Sequence, residues 1–88
     1  MFKPGQLIKL KCDLFVIRLP HFVQGRILKN EIILFLRENS KNEIELLLKE
    51  ITGPPPDPNI IHFCFMWKNE KYSSRLFLRD VPNYITIL

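Results

Sequence analysis

The chain contains no alanine, and its 47% hydrophobic content comes mainly from large residues such as Ile, Leu, Val and Phe. Residues of this kind suit the pleated, packed surfaces of β-sheets better than the faces of a helical bundle. The same content is well above that of a disordered segment, so we expect the 88 residues to fold. A chain of this length forms at most one domain, and we predict a single domain over residues 1–88.

Glycine is scarce, and the chain has no glycine-rich phosphate-binding loop. The three glycines are Gly5, Gly25 and Gly53, too far apart for any such motif. His21 and His62 also lack an Asp or Ser at a spacing that local structure would bring together. The carboxylates of residues 43–50 lie among lysines and are expected to form a solvated face. We therefore predict no catalytic residues and a protein that is not an enzyme.

Cysteine is equally rare, which argues against a metal site. Cys12 and Cys64 are isolated within apolar runs, and no CxxC pair occurs. A zinc site formed by these two thiols with His21 and His62 would lack the usual paired spacing. We predict buried free thiols in a reducing cytosol, with no metal and no cofactor. Because no apolar run approaches ~18 residues and no signal peptide is present, we expect a soluble cytoplasmic protein without a membrane partner.

The charges are unevenly distributed along the chain. The chain has thirteen basic and nine acidic residues, which gives a net charge of +4. Residues 1–30 are basic with Asp13 as their one acid, residues 31–57 are mainly acidic, and the remainder is mildly basic. This division fits a basic face for phosphate, or head-to-tail self-association, or an ordinary solvated surface.

Alternating apolar residues predict strands over most of the chain. Residues 6–17 place Ile8, Leu10, Cys12, Leu14 and Val16 on one face. Leu19-Pro20 interrupts this pattern, and residues 21–28 resume it. Gly25 within that run predicts a bend or bulge. Lys29-Asn30 predicts a two-residue turn into residues 31–37.

The middle of the chain contains one strand that is apolar on both faces and one ambiguous segment. Residues 31–37 need a second cover, which is either the N-terminal strand or another subunit. In residues 43–51, Ile44, Leu46 and Leu48 alternate as in a strand. Helical spacing and a capping box of Ser40 with Glu43 offer the alternative. We favour the strand because the neighbouring runs are β-like.

The last third predicts a loop and three further strands. The proline-rich segment 52–59 is expected to be a stiff surface loop. Strands are predicted at 60–67, 71–78 and 84–88, with a turn at 68–70. The predicted fold is all-β: a small, strongly bent antiparallel barrel. Residues 1–20 form a strand-like N-terminal extension, and residues 21–88 form the barrel core.

Two polar segments that follow apolar strands are the candidate binding residues. The first contains Glu38, Lys41 and Asn42, and the second contains Arg79, Asp80 and Asn83. An asparagine amide can pair with a base edge through both its donor and its acceptor, and an arginine can stack on a base or hold a phosphate. Lys41 suits phosphate. Phe22, Trp67 and Tyr84 are candidate stacking surfaces.

These two segments resemble the two motifs of Sm-like proteins. Glu38 and Asn42 followed by Ile44 and Leu46 resemble the first motif, and Leu78-Arg79-Asp80 before Tyr84 resembles the second. The resemblance spans about residues 22–88. It implies a ring-shaped homo-oligomer that binds single-stranded, uridine-rich RNA, with Asn42 bonding the base and Arg79 stacking on it.

The sequence departs from the Sm pattern at three positions. Glu38 replaces an Asp, Ser40 stands where an aromatic or His commonly stacks, and Asp80 stands where Gly is expected. The chain also resembles SH3-like and Sm-like barrels of phage proteins. The hypothesis is therefore a ring that binds single-stranded RNA or DNA. The alternative is an SH3-like interaction or structural subunit of a phage particle, with an aromatic groove at Phe22, Trp67 and Tyr84.

Overall fold

The computed structural model describes residues 2–51 and 57–88 as an antiparallel sheet of seven strands with short helices. Its elements, in chain order, are β1 (Leu7–Leu10), β2 (Leu14–Arg18), β3 (Val23–Ile27), β4 (Ile32–Glu38), α1 (Lys41–Ile51), β5 (Ile60–Trp67), β6 (Glu70–Phe77), a 3-10 turn (Leu78–Asp80), α2 (Val81–Tyr84) and β7 (Ile85–Ile87). The all-β prediction is confirmed. Most of the predicted loop 52–59 lies outside the described residues.

The order of the strands forces the sheet to curl. The order is β3-β2-β6-β5-β4-β1-β7, so three strands separate β1 from β2. In a flat sheet that separation would be roughly 19 Å. Residues 11–13 alone connect the two strands, and the four residue steps from Leu10 to Leu14 reach about 14 Å at most. The sheet therefore curves, although β3 and β7 remain its two edges and no ladder joins them among the described residues.

The concave face of the sheet holds the core. Side chains from every strand meet there, and Phe35, Phe63 and Phe65 are almost completely buried. The rings of Phe2, Phe35, Phe63, Phe65 and Tyr72 follow one another with centroids 5.4 to 6.3 Å apart. This aromatic row explains why a chain of large apolar residues folds as a curved sheet: the strands wrap around the rings.

Residues 43–51 form a helix, so the predicted strand is wrong here and the alternative is correct. The Ser40 hydroxyl accepts a hydrogen bond from the Glu43 backbone N–H at 3.3 Å, and the Glu43 carboxylate accepts one from the Ser40 N–H at 2.7 Å. These reciprocal bonds are the capping box that the sequence offered. Leu47 and Leu48 are buried together on one side of α1, against the convex face of the sheet, while Leu46 is exposed.

Three other local predictions differ from the structure. The predicted strand 6–17 is two strands, and Cys12 lies exposed in the break between them. Gly25 pairs regularly with Val16, while the bulge lies in β4 between Phe35 and Arg37. Asn30 does turn the chain, with φ 74°, but β3 and β4 pair with other strands. The turn at Lys68 and Asn69, both with positive φ, closes the predicted β5–β6 hairpin as expected.

Candidate nucleic-acid interface

Both predicted polar segments lie at the same end of the sheet, where β4 and β6 finish and β5 begins. We call this the tip end. The Asn39 backbone N–H donates to the His62 carbonyl at 2.8 Å, and the Leu78 N–H donates to the Asn59 carbonyl at 2.8 Å. Both segments are thus attached to the beginning of β5, three residues apart. No hydrogen bond or salt bridge joins them to each other in the part of the chain that the structure describes.

Arg79 lies in the 3-10 turn after β6 and is stacked on a neighbouring ring. Its guanidinium carbon is 5.1 Å from the centroid of Phe77, whose residue is 42% exposed. Asp57 and Asn59 line the same open depression. The Asp57 carboxylate is held in turn by the Asn59 backbone N–H at 2.8 Å. A guanidinium over a ring face leaves its N–H edges available for an anion or a base.

The remainder of the second segment is tied to the N-terminal third of the chain. The Lys11 ammonium donates to the Pro82 carbonyl at 2.8 Å, and the Cys12 thiol donates to the Asn83 carbonyl at 3.5 Å. Asn83 itself is exposed. Asp80 is half-buried and lines a separate depression with Tyr84. Asp80 lies beside Ile60 and Phe77 at the tip end but outside the depression that contains Arg79, whereas Asn83 is held against the β1–β2 connection.

The first segment is the start of α1 rather than a strand hairpin. Ser40 caps the helix, and Lys41 and Asn42 are exposed in its first turn. Glu38 is exposed at the end of β4. Asn42 and Lys41 are thus accessible to a ligand, but the alternating strand that the first Sm motif would place after Asn42 is absent here.

An ion pair fixes the start of α1 to the end of β4. Arg37 donates to the Glu43 carboxylate through both terminal nitrogens, one of them at 2.6 Å. This bidentate bond and the Ser40 N–H lower the pKa of Glu43 to about 2. The same bond raises the pKa of Arg37. Glu43 is therefore a structural carboxylate rather than part of the solvated face that Glu45 and Glu50 occupy.

A second polar group beneath α1 was not predicted. Asn39 accepts a hydrogen bond from the Cys64 thiol at 2.7 Å and donates to the Ser73 hydroxyl at 2.8 Å. Burial raises the pKa of Cys64, which keeps the thiol protonated. Asn39 was part of the polar segment, but nothing in its spacing distinguished it from Asn42. Its role depends on β5 and β6 lying beside it in the sheet.

His62 lies buried under the helix. It borders a small cavity with Leu47, Leu48 and Arg75. Burial, and then the nearby charge of Arg75, lower the pKa of His62. The imidazole is thus kept neutral beneath an apolar cover. Among the described residues, no three His, Cys, Asp or Glu side chains come close enough to hold a metal ion.

The three aromatic residues predicted to form one groove lie in three different places. Phe22 lines a groove against Leu46 and Leu47 of α1, and Tyr84 lines the depression beside Asp80. Trp67 instead lines a cleft at the opposite end of β5, together with Tyr72 and Arg18. Tyr72 and Arg18 were not among the predicted residues. They could not have been, because β2 and β6 become neighbours only in the folded sheet.

Comparisons with family models, with curated proteins and with solved structures find no match to this chain. No helix in residues 2–51 and 57–88 is long and apolar enough to span a membrane.

Proposed function

We propose that this chain is a non-enzymatic protein that binds single-stranded RNA or DNA at the tip end, with Arg79 as the main contact. The observation that carries the proposal is the stacking of Arg79 over the exposed Phe77 ring, beside Asn59. Single strands are commonly held by an aromatic or guanidinium plane for the base and by cations for the backbone. Binding is favoured over catalysis because His62 and Cys64 are both buried beneath α1, away from the exposed residues of the tip end.

Asn42 and Lys41 supply the second contact in this proposal. Both are exposed at the start of α1, at the same end of the sheet as Arg79. Asn42 would bond a base edge, and Lys41 would face a phosphate. Glu38 and Asp80 border the site, Asp57 lines the Arg79 depression itself, and Asn83 lies against the β1–β2 connection. The three carboxylates would disfavour phosphate close to them. This arrangement keeps the residues of the Sm-like hypothesis without requiring the Sm-type strand after Asn42.

The small barrel of Sm-like or SH3-like type remains our proposal for the fold. Its support is the curvature that the short β1–β2 connection imposes, together with the single aromatic core inside the curve. A ring-shaped homo-oligomer is the corresponding proposal for the assembly. In such an assembly several tip ends would act on one strand, which raises the overall affinity by linking weak sites.

Self-association is supported by an apolar row on the convex face. Leu7 pairs with Leu34, Leu34 pairs with Met66, and the Leu88 N–H donates to the Leu7 carbonyl. Leu7 is 48% and Leu88 60% exposed, and Ile32 beside them is also exposed. We call Leu7, Ile32, Leu34, Met66 and Leu88 the convex apolar row. Leu34 and Met66 are half-buried between the exposed residues, and Lys9 lies beside Ile32. A cluster of exposed apolar side chains of this kind favours contact with another protein surface, here a second copy.

The same row favours the second candidate function. A structural or interaction subunit of a phage particle would bury the convex apolar row against a different protein and would not need nucleic acid. Its expected property is a tip end that does not bind oligonucleotides. Oligonucleotide binding and oligomeric state together separate the two candidates.

The experiment is a fluorescence-anisotropy titration with labelled oligouridine and oligothymidine at two salt concentrations. We expect binding that weakens with salt, with a log–log slope of about −0.7 for each phosphate contacted. Arg79→Ala should weaken binding about tenfold or more, and Asn42→Ala about threefold to tenfold. Arg26→Ala, an exposed arginine on β3 away from the tip end, is the matched control and should bind as the unmodified chain does. Absence of binding at low salt, or an equal loss in the control, would exclude this function.

A further inference from the structure

The edge strand β3 has one side without a strand partner. Within residues 2–51 and 57–88 it pairs only with β2 and forms one end of the seven-stranded order. Four of its five residues, Val23 to Arg26, are exposed. A free edge presents alternating N–H and C=O groups that another extended chain can pair with. Five residues are enough for one short additional strand.

A cleft opens beside this edge, at the end of the sheet opposite the tip end. Its volume is about 220 Å³, and its walls combine the aliphatic Val16, Val23 and Ile27 with Trp67 and Tyr72. The two aromatic rings meet edge to face with centroids 5.9 Å apart. Gly25 in β3 adds no side chain to the wall. The space suits one aromatic or branched side chain from a ligand that runs along β3.

The side chains around the cleft are mainly basic and therefore favour a ligand with negative charge. The β2–β3 hairpin, residues 14–29, carries Arg18, Arg26 and Lys29 and no acidic residue. The Lys68 ammonium lies 4.5 Å from the centroid of the Trp67 ring, at the mouth of the same region. Two acids are close by: Glu70 is paired with Arg18 at 3.3 Å, and the Glu31 carboxylate accepts a hydrogen bond from the Trp67 indole N–H at 3.3 Å. Arg26 and Lys68 have no acidic partner among the described residues, so the region keeps a net positive charge. An acidic strand laid on β3 would therefore meet a positive potential.

We propose that the β3 edge and the Trp67–Tyr72 cleft bind an extended acidic peptide segment of a partner protein, which adds to the sheet as an eighth strand. One apolar side chain of the peptide fills the cleft, which Arg18 flanks on the same face of the sheet, and the alternate carboxylates of the peptide face Arg26 on the other face. A polypeptide is the ligand rather than a nucleic acid because the feature being recognised is a row of backbone N–H and C=O groups. Nucleic acid has no matching alternation of donors and acceptors. This site is separate from the tip end, so the two proposals fail independently.

The chain contains a single tryptophan, so Trp67 reports directly on its own cleft. The probe is a capped octapeptide, Glu-Val-Glu-Phe-Glu-Val-Glu-Val, titrated against the full chain while Trp67 fluorescence is followed. We expect a saturable change at micromolar to submillimolar peptide. The same peptide with Lys in place of every Glu should bind at least about tenfold more weakly, because its charges are reversed. A version N-methylated at alternate residues tests the backbone bonds and should also bind at least about tenfold more weakly.

Two variants and one structural readout complete the test. Arg18→Glu combined with Arg26→Glu should abolish binding, whereas the matched pair Lys9→Glu with Lys49→Glu, away from the cleft, should retain it. Hydrogen exchange should slow at the β3 amides when the peptide binds. The proposal is overturned by no fluorescence change at millimolar peptide, by equal binding of the Lys or N-methylated peptide, or by protection outside β3. It is also overturned if oligouridine or a second copy of the chain protects the β3 amides instead.

Discussion

Phe63 is the residue around which the core is arranged. It is completely buried, and its ring centroid is 6.3 Å from that of Phe35 and 5.7 Å from that of Phe65. Its strand partner Ser74 is small and donates its hydroxyl proton to the Phe15 carbonyl. Large rings on one strand thus face a small residue on the next. This is how a core with no alanine fits inside a narrow curve.

Replacing Phe63 with alanine should therefore be severely destabilising. We expect Phe63→Ala to lower the free energy of unfolding by about 3–5 kcal/mol, because the cavity left among rigid rings cannot collapse. Urea denaturation of the purified variant measures this loss. Phe77→Ala, at an exposed position of the neighbouring strand, is the control and should cost far less. Similar losses in the two variants would mean that the aromatic row does not hold the core together.

Exposed candidate binding residues could be predicted from the sequence, whereas a buried hydrogen-bonded residue could not. Arg79 and Asn42 were singled out by residue type, and both are exposed at the tip end. Asn39 was not singled out, yet it bonds Cys64 and Ser73. The difference is that an exposed role can be inferred from chemistry alone. A buried hydrogen-bonded role depends on which strands lie nearby.

At the scale of elements, α1 shows how a short segment with two competing periodicities is resolved. Alternation would have buried Leu46 with Leu48, whereas the structure buries Leu47 with Leu48 and exposes Leu46. The capping box and the Arg37–Glu43 ion pair fix the helix start. Local bonds available only to a helix therefore outweighed the resemblance of this segment to its β-like neighbours.

The attachment of α1 should depend on pH through Glu43. Its pKa is about 2 in the folded protein against an ordinary value of 4.5, so the unfolded chain binds the proton more readily. The stability that Glu43 contributes is complete above pH 4.5 and is lost as the pH falls toward 2. We expect the difference in the free energy of unfolding between the unmodified chain and Glu43→Gln to shrink over that range and to level off below pH 2. Urea titrations at several pH values measure it.

Glu45→Gln provides the control, since it removes an exposed carboxylate from the same helix. Its difference from the unmodified chain should show no comparable loss between pH 4.5 and 2. A Glu43→Gln difference that stays constant with pH would mean that the Arg37–Glu43 pair contributes nothing to stability.

At the scale of the whole molecule, α1 covers only part of the convex face of the sheet. Leu47 and Leu48 cover Ile17 and His62, on strands β2 and β5. The convex apolar row, on β1, β4 and the adjoining strands, has no such cover from the residues that the structure describes. The sequence predicted that residues 31–37 need a second cover, and the N-terminal strand does not supply it because β1 lies beside β4 within the sheet.

We therefore expect the chain to self-associate through the convex apolar row. Leu7→Glu combined with Ile32→Glu should shift the protein to a monomer, because charges buried at such a contact are costly. Size-exclusion chromatography with light scattering measures the mass. The control pair is Phe15→Glu with Val23→Glu, two exposed apolar positions on β2 and β3. A monomer before any substitution, or equal dissociation of the control pair, would contradict this assembly.

The sequence by itself determined the class of the fold, the β5–β6 hairpin and the presence of two polar segments, because alternation and turn chemistry act over a few residues. Only the tertiary structure decided that these segments share one end of the sheet and that β1 and β2 are separate strands. It also decided that Trp67, Tyr72 and Arg18 line a common cleft. Those facts depend on pairings between residues far apart in the chain. A pattern that repeats every two residues specifies the face of a strand but not its neighbour.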